Sequence, residues 1–310
     1  LRFLRDFRIQ TPLGICDLRI SGKTQEVLAF LVLNANKSIR RTTLSGLIWA
    51  DHDEQRSRAN LNTALWRINR ALKTIGNDDI NLSVTASQIK LTAAPKVFID
   101  VLALDACVRE ASKSQSQVLP LAIRATLSEI LSGDCGSFLE GLSSEWVLIE
   151  RERCFNLQIK GLTLLMQDLT ESGRIAEALE HGRRILRMDP MRECVQRQVM
   201  WLHVLDGHQG NAIRQYLQCA RILRDELAVS PMPETRALYE FIIAHSVVPK
   251  DNATDCRSSG GSGLPRAIDQ LRSAHPGDYD TELSRLRSLI AQLNSHRQSV
   301  FSVLADSGAS

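Results

Sequence analysis

No unbroken apolar stretch approaches the ~20 residues that a membrane-spanning helix needs, and nothing near the start reads as a signal peptide. No membrane partner is therefore expected, and the expected location is cytoplasmic. The seven cysteines, Cys16, Cys107, Cys135, Cys154, Cys194, Cys219 and Cys256, form no C-x-x-C pair, and no histidine stands at zinc-finger spacing. That excludes a zinc ribbon or a dithiol redox motif and leaves buried or idle thiols in a reducing compartment. The seven histidines include no H-E-x-x-H. His203 and His208 flank a helix end near Cys219 and read as ordinary satisfied or exposed side chains, so no metal is expected. Gly22-Lys23-Thr24 sits where a phosphate-binding loop would lie, after a strand and before a helix. The position five residues earlier, where that loop needs glycine, is Asp17, a negative charge where phosphate would sit. Lys23 then reads as a solvated residue at a helix start. The glycine-rich run 260–263 lacks the strand-turn-helix context of a nucleophile elbow. No catalytic constellation stands out, so the expectation is no enzyme activity and no cofactor.

Charge is present but unevenly placed. The net charge is only +3, yet residues 1–96 hold 15 Lys and Arg against 8 Asp and Glu, while residues 97–310 hold 23 against 27. A basic first third on a slightly acidic body suggests that only the first third meets phosphate.

The hydrophobic period changes along the chain. Residues 1–20 alternate apolar and polar positions through Leu1, Phe3, Phe7, Ile9, Ile15, Leu18 and Ile20, which predicts strands. A helix is predicted over 24–35 with Thr24 as its N-cap. A short second helix opens at Thr42 or Thr43 and carries Leu44, Leu47, Ile48 and Trp49. A third, about 55–74, places Leu61, Ala64, Leu65, Ile68 and Leu72 on one face and stops at Gly76-Asn77. Residues 80–92 return to period two and predict a β-hairpin, with Leu82 and Val84 before a turn near Ala86-Ser87 and Ile89 and Leu91 after it.

Beyond Pro95 and Asp100 the pattern is helical, in segments over about 100–114, 119–132, 143–172, 174–188, 192–206, 208–226 and 233–245. Turn signals at Gly133-Asp134, Gly173, Asp189-Pro190, Gly207 and Pro231 separate them. A 34-residue period links Gly173 to Gly207, Ala178 to Ala212, Leu186 to Ala220 and Leu165 to Val199. That period, with glycine at the turn and alanine in the following helix, predicts TPR-like (tetratricopeptide-like) stacking of helical hairpins; a generic helical bundle is the plainer alternative. Residues 246–278, with their Ser-Gly run, read as a flexible linker. In 279–310, Leu283, Leu286, Ile290, Leu293, Val300 and Leu304 suggest an amphipathic helix, either a short coiled coil or a helix docking on its own protein.

The third helix carries the most pointed chemistry. A helix entering the major groove needs an apolar face to hold it on its domain and a polar face without carboxylates. Between Gln55 and Lys73 there is no Asp or Glu, and Arg56, Arg58, Arg67, Arg70 and Lys73 supply five cations. Asn62, Thr63 and Trp66 share that side. An ordinary solvated basic face is the plainer alternative, although most surface helices mix both signs.

Residues 23–72, KTQEVLAFLVLNANKSIRRTTLSGLIWADHDEQRSRANLNTALWRINRAL, resemble the winged-helix domain of bacterial transcriptional activator domain proteins, a group that includes the antibiotic regulatory proteins of actinobacteria. The likeness extends to IDVLALDACVREA (99–111), GDCGSFLEGLSSEWVLIERER (133–153), Asp189-Pro190 and RQYLQCARILRDELAVSPMPETRALYE (214–240). It covers about residues 1–245. It implies an OmpR-like winged helix whose third helix reads the major groove and whose hairpin touches the minor groove or backbone. It also implies binding to direct repeats at promoters, recruitment of RNA polymerase, and no enzyme activity. No receiver domain or appended ATPase, which some relatives carry, is recognisable, so control through either is not implied. Carried over by position, Asn62, Thr63, Trp66, Arg67 and Arg70 face the groove, and Ser87, Gln88 and Lys90 are the polar candidates in the wing. Trp66 departs from the smaller or phenolic residue expected there, and would pack either on sugar or a thymine methyl or on the neighbouring domain.

The expectation is thus an α+β winged-helix domain over 1–96 and an all-α TPR-like domain over 97–245, then the linker and terminal helix. The expected protein is an activator that binds double-stranded DNA, contacts RNA polymerase and forms a homo-oligomer on its site. The competing expectation is a TPR-like interaction adaptor without direct DNA readout. An enzyme with dispersed catalytic residues finds no support in the sequence.

Overall fold

The computed structural model describes residues 3–4, 9–11, 14–16, 20, 22–74, 79–113, 118–133 and 136–244. The linker and terminal helix expected over 246–310, and the helix stop at Gly76-Asn77, lie outside the described residues. A two-stranded antiparallel hairpin, β1 (Ile9–Thr11) and β2 (Gly14–Cys16), comes first. Three helices follow: α1 (Lys23–Leu33), α2 (Arg41–Ile48) and α3 (Glu54–Thr74). A second sheet has the order β3-β5-β4, all antiparallel, built from β3 (Ser38–Arg40), β4 (Ile80–Val84) and β5 (Gln88–Ala93). Helices packed on a small sheet that ends in a hairpin make the winged helix the sequence predicts.

Two local readings change. The cap of α1 is Gly22, at φ +56°, and Thr24 is buried inside the first turn with no side-chain cap bond. A left-handed cap suits glycine, which lacks the Cβ that would clash there. Strand β3 is absent from the sequence reading because three residues, Ser-Ile-Arg, are too short to show a period. It exists because β5 offers it a partner, with Ile39 opposite Ile89.

The helical body consists of α4 (Asp100–Lys113), α5 (Leu121–Ile130), α6 (Glu145–Glu171), α7 (Ile175–Met188), α8 (Glu193–Leu205), α9 (Gln209–Leu227) and α10 (Pro233–Ala244). Each lies within about two residues of its predicted bounds. From α6 to α10 each helix packs on the next. The 34-residue spacing is repeated in backbone bonding at the turns. Ser172, Gly173 and Arg174 donate to Asp168, Thr170 and Leu169; Asp206, Gly207 and His208 donate to the residues 34 further on, Leu202, Val204 and His203. Gly173 and Gly207 both adopt positive φ, 71° and 74°. Ala178 and Ala212 are both fully buried. The hairpins approach closely elsewhere too: a Cβ on Gly182 would come within 2.5 Å of the Val199 Cγ2.

One apolar core runs without a break from Phe3 and Leu4, through α1–α3 and β5, into α4–α8, and a smaller cluster around Met200, Ala212 and Ile242 closes the far end. Residue 96, the expected domain boundary, lies within a single compact unit. Among the described residues no helix is long and apolar enough to cross a membrane.

Candidate nucleic-acid interface

The apolar stripe of α3 decides which way its polar side chains point. Leu61, Ala64, Leu65, Ile68 and Leu72 are buried, as expected, against α1 and α2. The helix is seated at its start by Ser57, whose hydroxyl donates to the Trp49 carbonyl at 3.2 Å, and by Asp53, whose carboxylate caps the Arg56 N–H at 2.8 Å. Arg56, Arg58, Asn62, Thr63, Trp66, Arg67, Arg70 and Lys73 are consequently all exposed.

They are not equivalent. The helix begins one residue before the acid-free stretch, and Glu54 pairs with Arg58 at 2.6 Å. An exposed i,i+4 pair is weak, a few tenths of a kcal/mol, so phosphate could displace it; Arg58 still starts with a competitor that the other cations lack. Arg56, Arg67, Arg70 and Lys73 form no ion pair with a described residue. The Thr63 hydroxyl donates back to the Ala59 carbonyl at 3.1 Å, which leaves its lone pairs as acceptors. Trp66 is 60% exposed and is not covered by the helical body of its own chain. The Arg70 guanidinium lies 5.5 Å from the centre of its ring.

The wing places its residues by strand alternation. Ile89, Leu91 and Ala93 turn inward from β5, while Gln88 is exposed and Lys90 half-buried on the other face. Ser87 is exposed in the turn. Thr85 closes that turn: its hydroxyl accepts from the Gln88 N–H at 3.0 Å and donates to the Gln88 carbonyl at 3.1 Å.

Arg41 brings wing and helix together, and the sequence reading passed over it. At the start of α2 its backbone N–H donates to the Ser87 carbonyl at 3.0 Å. Its guanidinium donates to the Thr85 carbonyl at 3.4 Å and to the Asn62 side-chain oxygen. Three elements thus meet on one cation, and Asn62 is oriented by it. The signal was visible as two adjacent cations, Arg40-Arg41, at a helix start, but a charge pair does not say which loop it will reach.

Two buried carboxylates fix this head to the helical body. Glu26 in α1 accepts from the Ser144 hydroxyl at 2.7 Å and the Trp146 indole N–H at 3.1 Å, and pairs with Lys23 at 3.3 Å. The Lys23 ammonium also donates to the Ser144 oxygen at 2.7 Å. Lys23, expected to be merely solvated, is therefore part of a joint. Phe30 meets Trp146 edge-on with ring centres 5.6 Å apart. Asp100 accepts the backbone N–H groups of Phe3 and Leu4 at 2.8 and 3.0 Å, and the Phe3 ring stacks on Phe138. Burial raises the Asp100 pKa above the usual carboxylate value, and those N–H donors oppose the shift. The interface face of α3 stays clear of the joint.

Among the described residues no group of three or more His, Cys, Asp or Glu could hold a metal ion. Cys154 and Cys219 are buried, and burial pushes their thiols up to about 12 and about 11, which leaves them unreactive at neutral pH.

Residues 99–243 match the family model described as the bacterial transcriptional activator domain. Over 248 residues the chain is 26% identical to the transcriptional regulatory protein MoaR1 of Mycobacterium tuberculosis, covering 74% of this chain and 78% of that one. It is 24% identical over 230 residues to the regulatory protein AfsR of Streptomyces griseus, covering 73% of this chain but only 23% of that larger protein. Its fold is similar to Mycobacterium tuberculosis EmbR, solved in complex with a low-affinity phosphopeptide, at a TM-score of 0.63 and 20% identity. That match covers 80% of this chain and 65% of the EmbR chain, and it is a likeness of fold alone.

Proposed function

We propose that this chain, whose residues 99–243 match the bacterial transcriptional activator domain, is a sequence-specific activator that binds double-stranded DNA through α3 and the β4–β5 wing. The observation that carries this reading is the outward face of α3. Its cations are exposed, four of them have no carboxylate partner among the described residues, and Arg41 holds the wing beside them. Cations left unpaired on a rigid helix release counterions when they meet phosphate, which supplies affinity. Asn62, Thr63, Trp66 and Arg70 supply groups that read base edges, and Arg67 on the same groove-facing side meets a phosphate or a guanine. Arg56, Arg58, Lys73, Ser87, Gln88 and Lys90 flank them toward the backbone.

The division of labour runs at about residue 96: the basic head reads DNA, and the body over 97–245 mediates protein contacts. Stacked hairpins with a 34-residue register support a TPR-like reading of that body, whose partners are RNA polymerase and a second copy bound at a direct repeat. No catalytic step is assigned. The location that fits is the nucleoid, in the cytoplasm.

The test is a gel shift of the full chain on DNA fragments from the neighbourhood of its own gene, with unrelated DNA as competitor. A shift that resists the competitor and weakens steeply with salt is expected. No shift even at low salt would leave the helical body as the working part, an adaptor without DNA readout.

A further inference from the structure

A Trp that is 60% exposed is unusual on a cationic helix, because its large apolar ring gains nothing from water. Trp66 sits in the middle of the outward face of α3, and no carboxylate lies between Gln55 and Lys73. One turn further on, the Arg70 guanidinium lies over the ring within cation–π range, its Cζ 5.5 Å from the centre. A guanidinium held by cation–π attraction at this distance still has N–H groups free to donate to a ligand. The contact also limits where Arg70 can point before any ligand arrives, which reduces the entropy lost on binding.

The two side chains offer complementary chemistry. The free N–H groups of Arg70 match the O6 and N7 acceptors of guanine in the major groove. Apart from its one N–H donor the indole is apolar and has no acceptor; its hydrocarbon edge suits an apolar group, and the apolar group displayed in the major groove is the thymine C5-methyl. Four residues of helix rise about 6 Å, and base pairs stack about 3.4 Å apart. A side-chain pair of this size therefore reaches positions no more than about two base steps apart. Asn62, by contrast, already accepts a hydrogen bond from Arg41, so part of its capacity is committed within the protein.

We infer that Trp66 and Arg70 act as one base-reading unit, Arg70 on a guanine and Trp66 on the methyl group of a thymine within about two steps of it. This rests on the reading of α3 as a major-groove helix.

The experiment uses the full chain and a duplex selected from a random DNA pool, with affinity measured by fluorescence anisotropy. Thymines are replaced one at a time by deoxyuridine, which removes only the methyl group. Guanines are replaced one at a time by 7-deazaguanine, which removes only N7. The expected result is one thymine whose replacement weakens binding about fourfold, the worth of one buried carbon, and a guanine within two steps whose replacement weakens it about tenfold. Trp66→Ala, checked for an unchanged melting curve, should bind more weakly and lose the deoxyuridine effect, and Arg70→Ala should lose the 7-deazaguanine effect. Trp66→Phe should keep part of the methyl sensitivity. Selective binding with no sensitive thymine, or a methyl effect that persists in Trp66→Ala, overturns the inference while the DNA-binding reading stands. Failure of the pool to yield any bound duplex overturns both.

Discussion

Arg124 in the helical body and Arg67 on α3 carry the same charge in opposite surroundings. Arg124 pairs with the fully buried Asp168 at 2.6 Å, and Asp168 also accepts the Leu119 N–H at 2.8 Å, so one carboxylate joins the approach to α5 to the middle of the bundle. Arg67 faces water and pairs with no described residue. The same contrast runs through both regions. In the body, Glu193 accepts from the Met232 N–H and the Thr235 hydroxyl, and Arg151 donates to the carbonyls of Phe138, Leu139 and Leu142. These polar groups are satisfied internally, because burial without a partner is costly. On α3 the cations face solvent and, apart from Arg58, are left without a carboxylate among the described residues, and the proposed DNA-binding face rests on that difference.

That contrast can be broken at several points. Asp168→Ala removes a buried acceptor, leaves Arg124 unpaired and orphans the Leu119 N–H. Breaking a buried pair typically costs ~3–5 kcal/mol; because Arg124 keeps some solvent contact, a loss of ~3 kcal/mol is expected. Denaturant unfolding of the full chain measures it, and a loss below ~1 kcal/mol would show that this carboxylate is not the strut described.

Ala178→Leu and Ala212→Leu each push a larger side chain into a fully buried position. Overpacking of this kind costs ~1–3 kcal/mol. The two melting curves should fall by similar amounts, because the two alanines occupy equivalent places 34 residues apart. One variant falling while the other melts like the parent would end the claim of equivalence.

Arg67→Ala should leave the melting curve alone and weaken DNA binding uniformly across sequences, with the salt slope falling by about one, if its contact is to phosphate. Arg70→Ala should cost ~1–3 kcal/mol of binding, concentrated on the preferred sequence. Arg58→Ala, whose cation already pairs with Glu54, should change binding less than either. A larger effect at Arg58 than at Arg67 would reverse the ranking drawn from ion pairing.

The smallest expected effect is pH dependence. His203 is buried, and desolvation together with the nearby Arg183 holds its pKa below the ordinary histidine value of 6.5, with Asp206 opposing. The folded state therefore binds fewer protons than the unfolded state near and below pH 6.5. Stability rises with pH wherever the unfolded state binds more protons, so it should be lost as pH falls below about 6.5. The wild-type melting temperature should drop between pH 7.5 and 5.5 by more than that of His203→Gln. Equal drops would place the titrating group elsewhere.

Helices were the legible part. Those of the body fall within about two residues of their expected bounds, because apolar period, turn glycines and Asp189-Pro190 are local signals. The outward face of α3 was legible for the same reason: once Leu61, Ala64, Leu65, Ile68 and Leu72 are buried, helix geometry sends Trp66, Arg67 and Arg70 the other way. Strand β3, the Gly22 cap and the joint were not legible. Glu26 is an acidic residue in a first helical turn, where the sequence alone suggests a solvated, dipole-stabilising position. Nothing local says that Ser144 and Trp146 will come from more than a hundred residues away to bury it.

By itself, then, the sequence determined which segments are helical, which face of each is apolar, and which helix keeps its cations free of carboxylates. These follow from periodicity and composition over stretches of about twenty residues or fewer. Tertiary structure alone decided that head and body share one core, that Arg41 ties Asn62 to the wing, and that the rest of the fold leaves Trp66 60% exposed. The first two depend on contacts between residues far apart in the chain. The third depends on what the rest of the fold leaves uncovered, which no local pattern specifies.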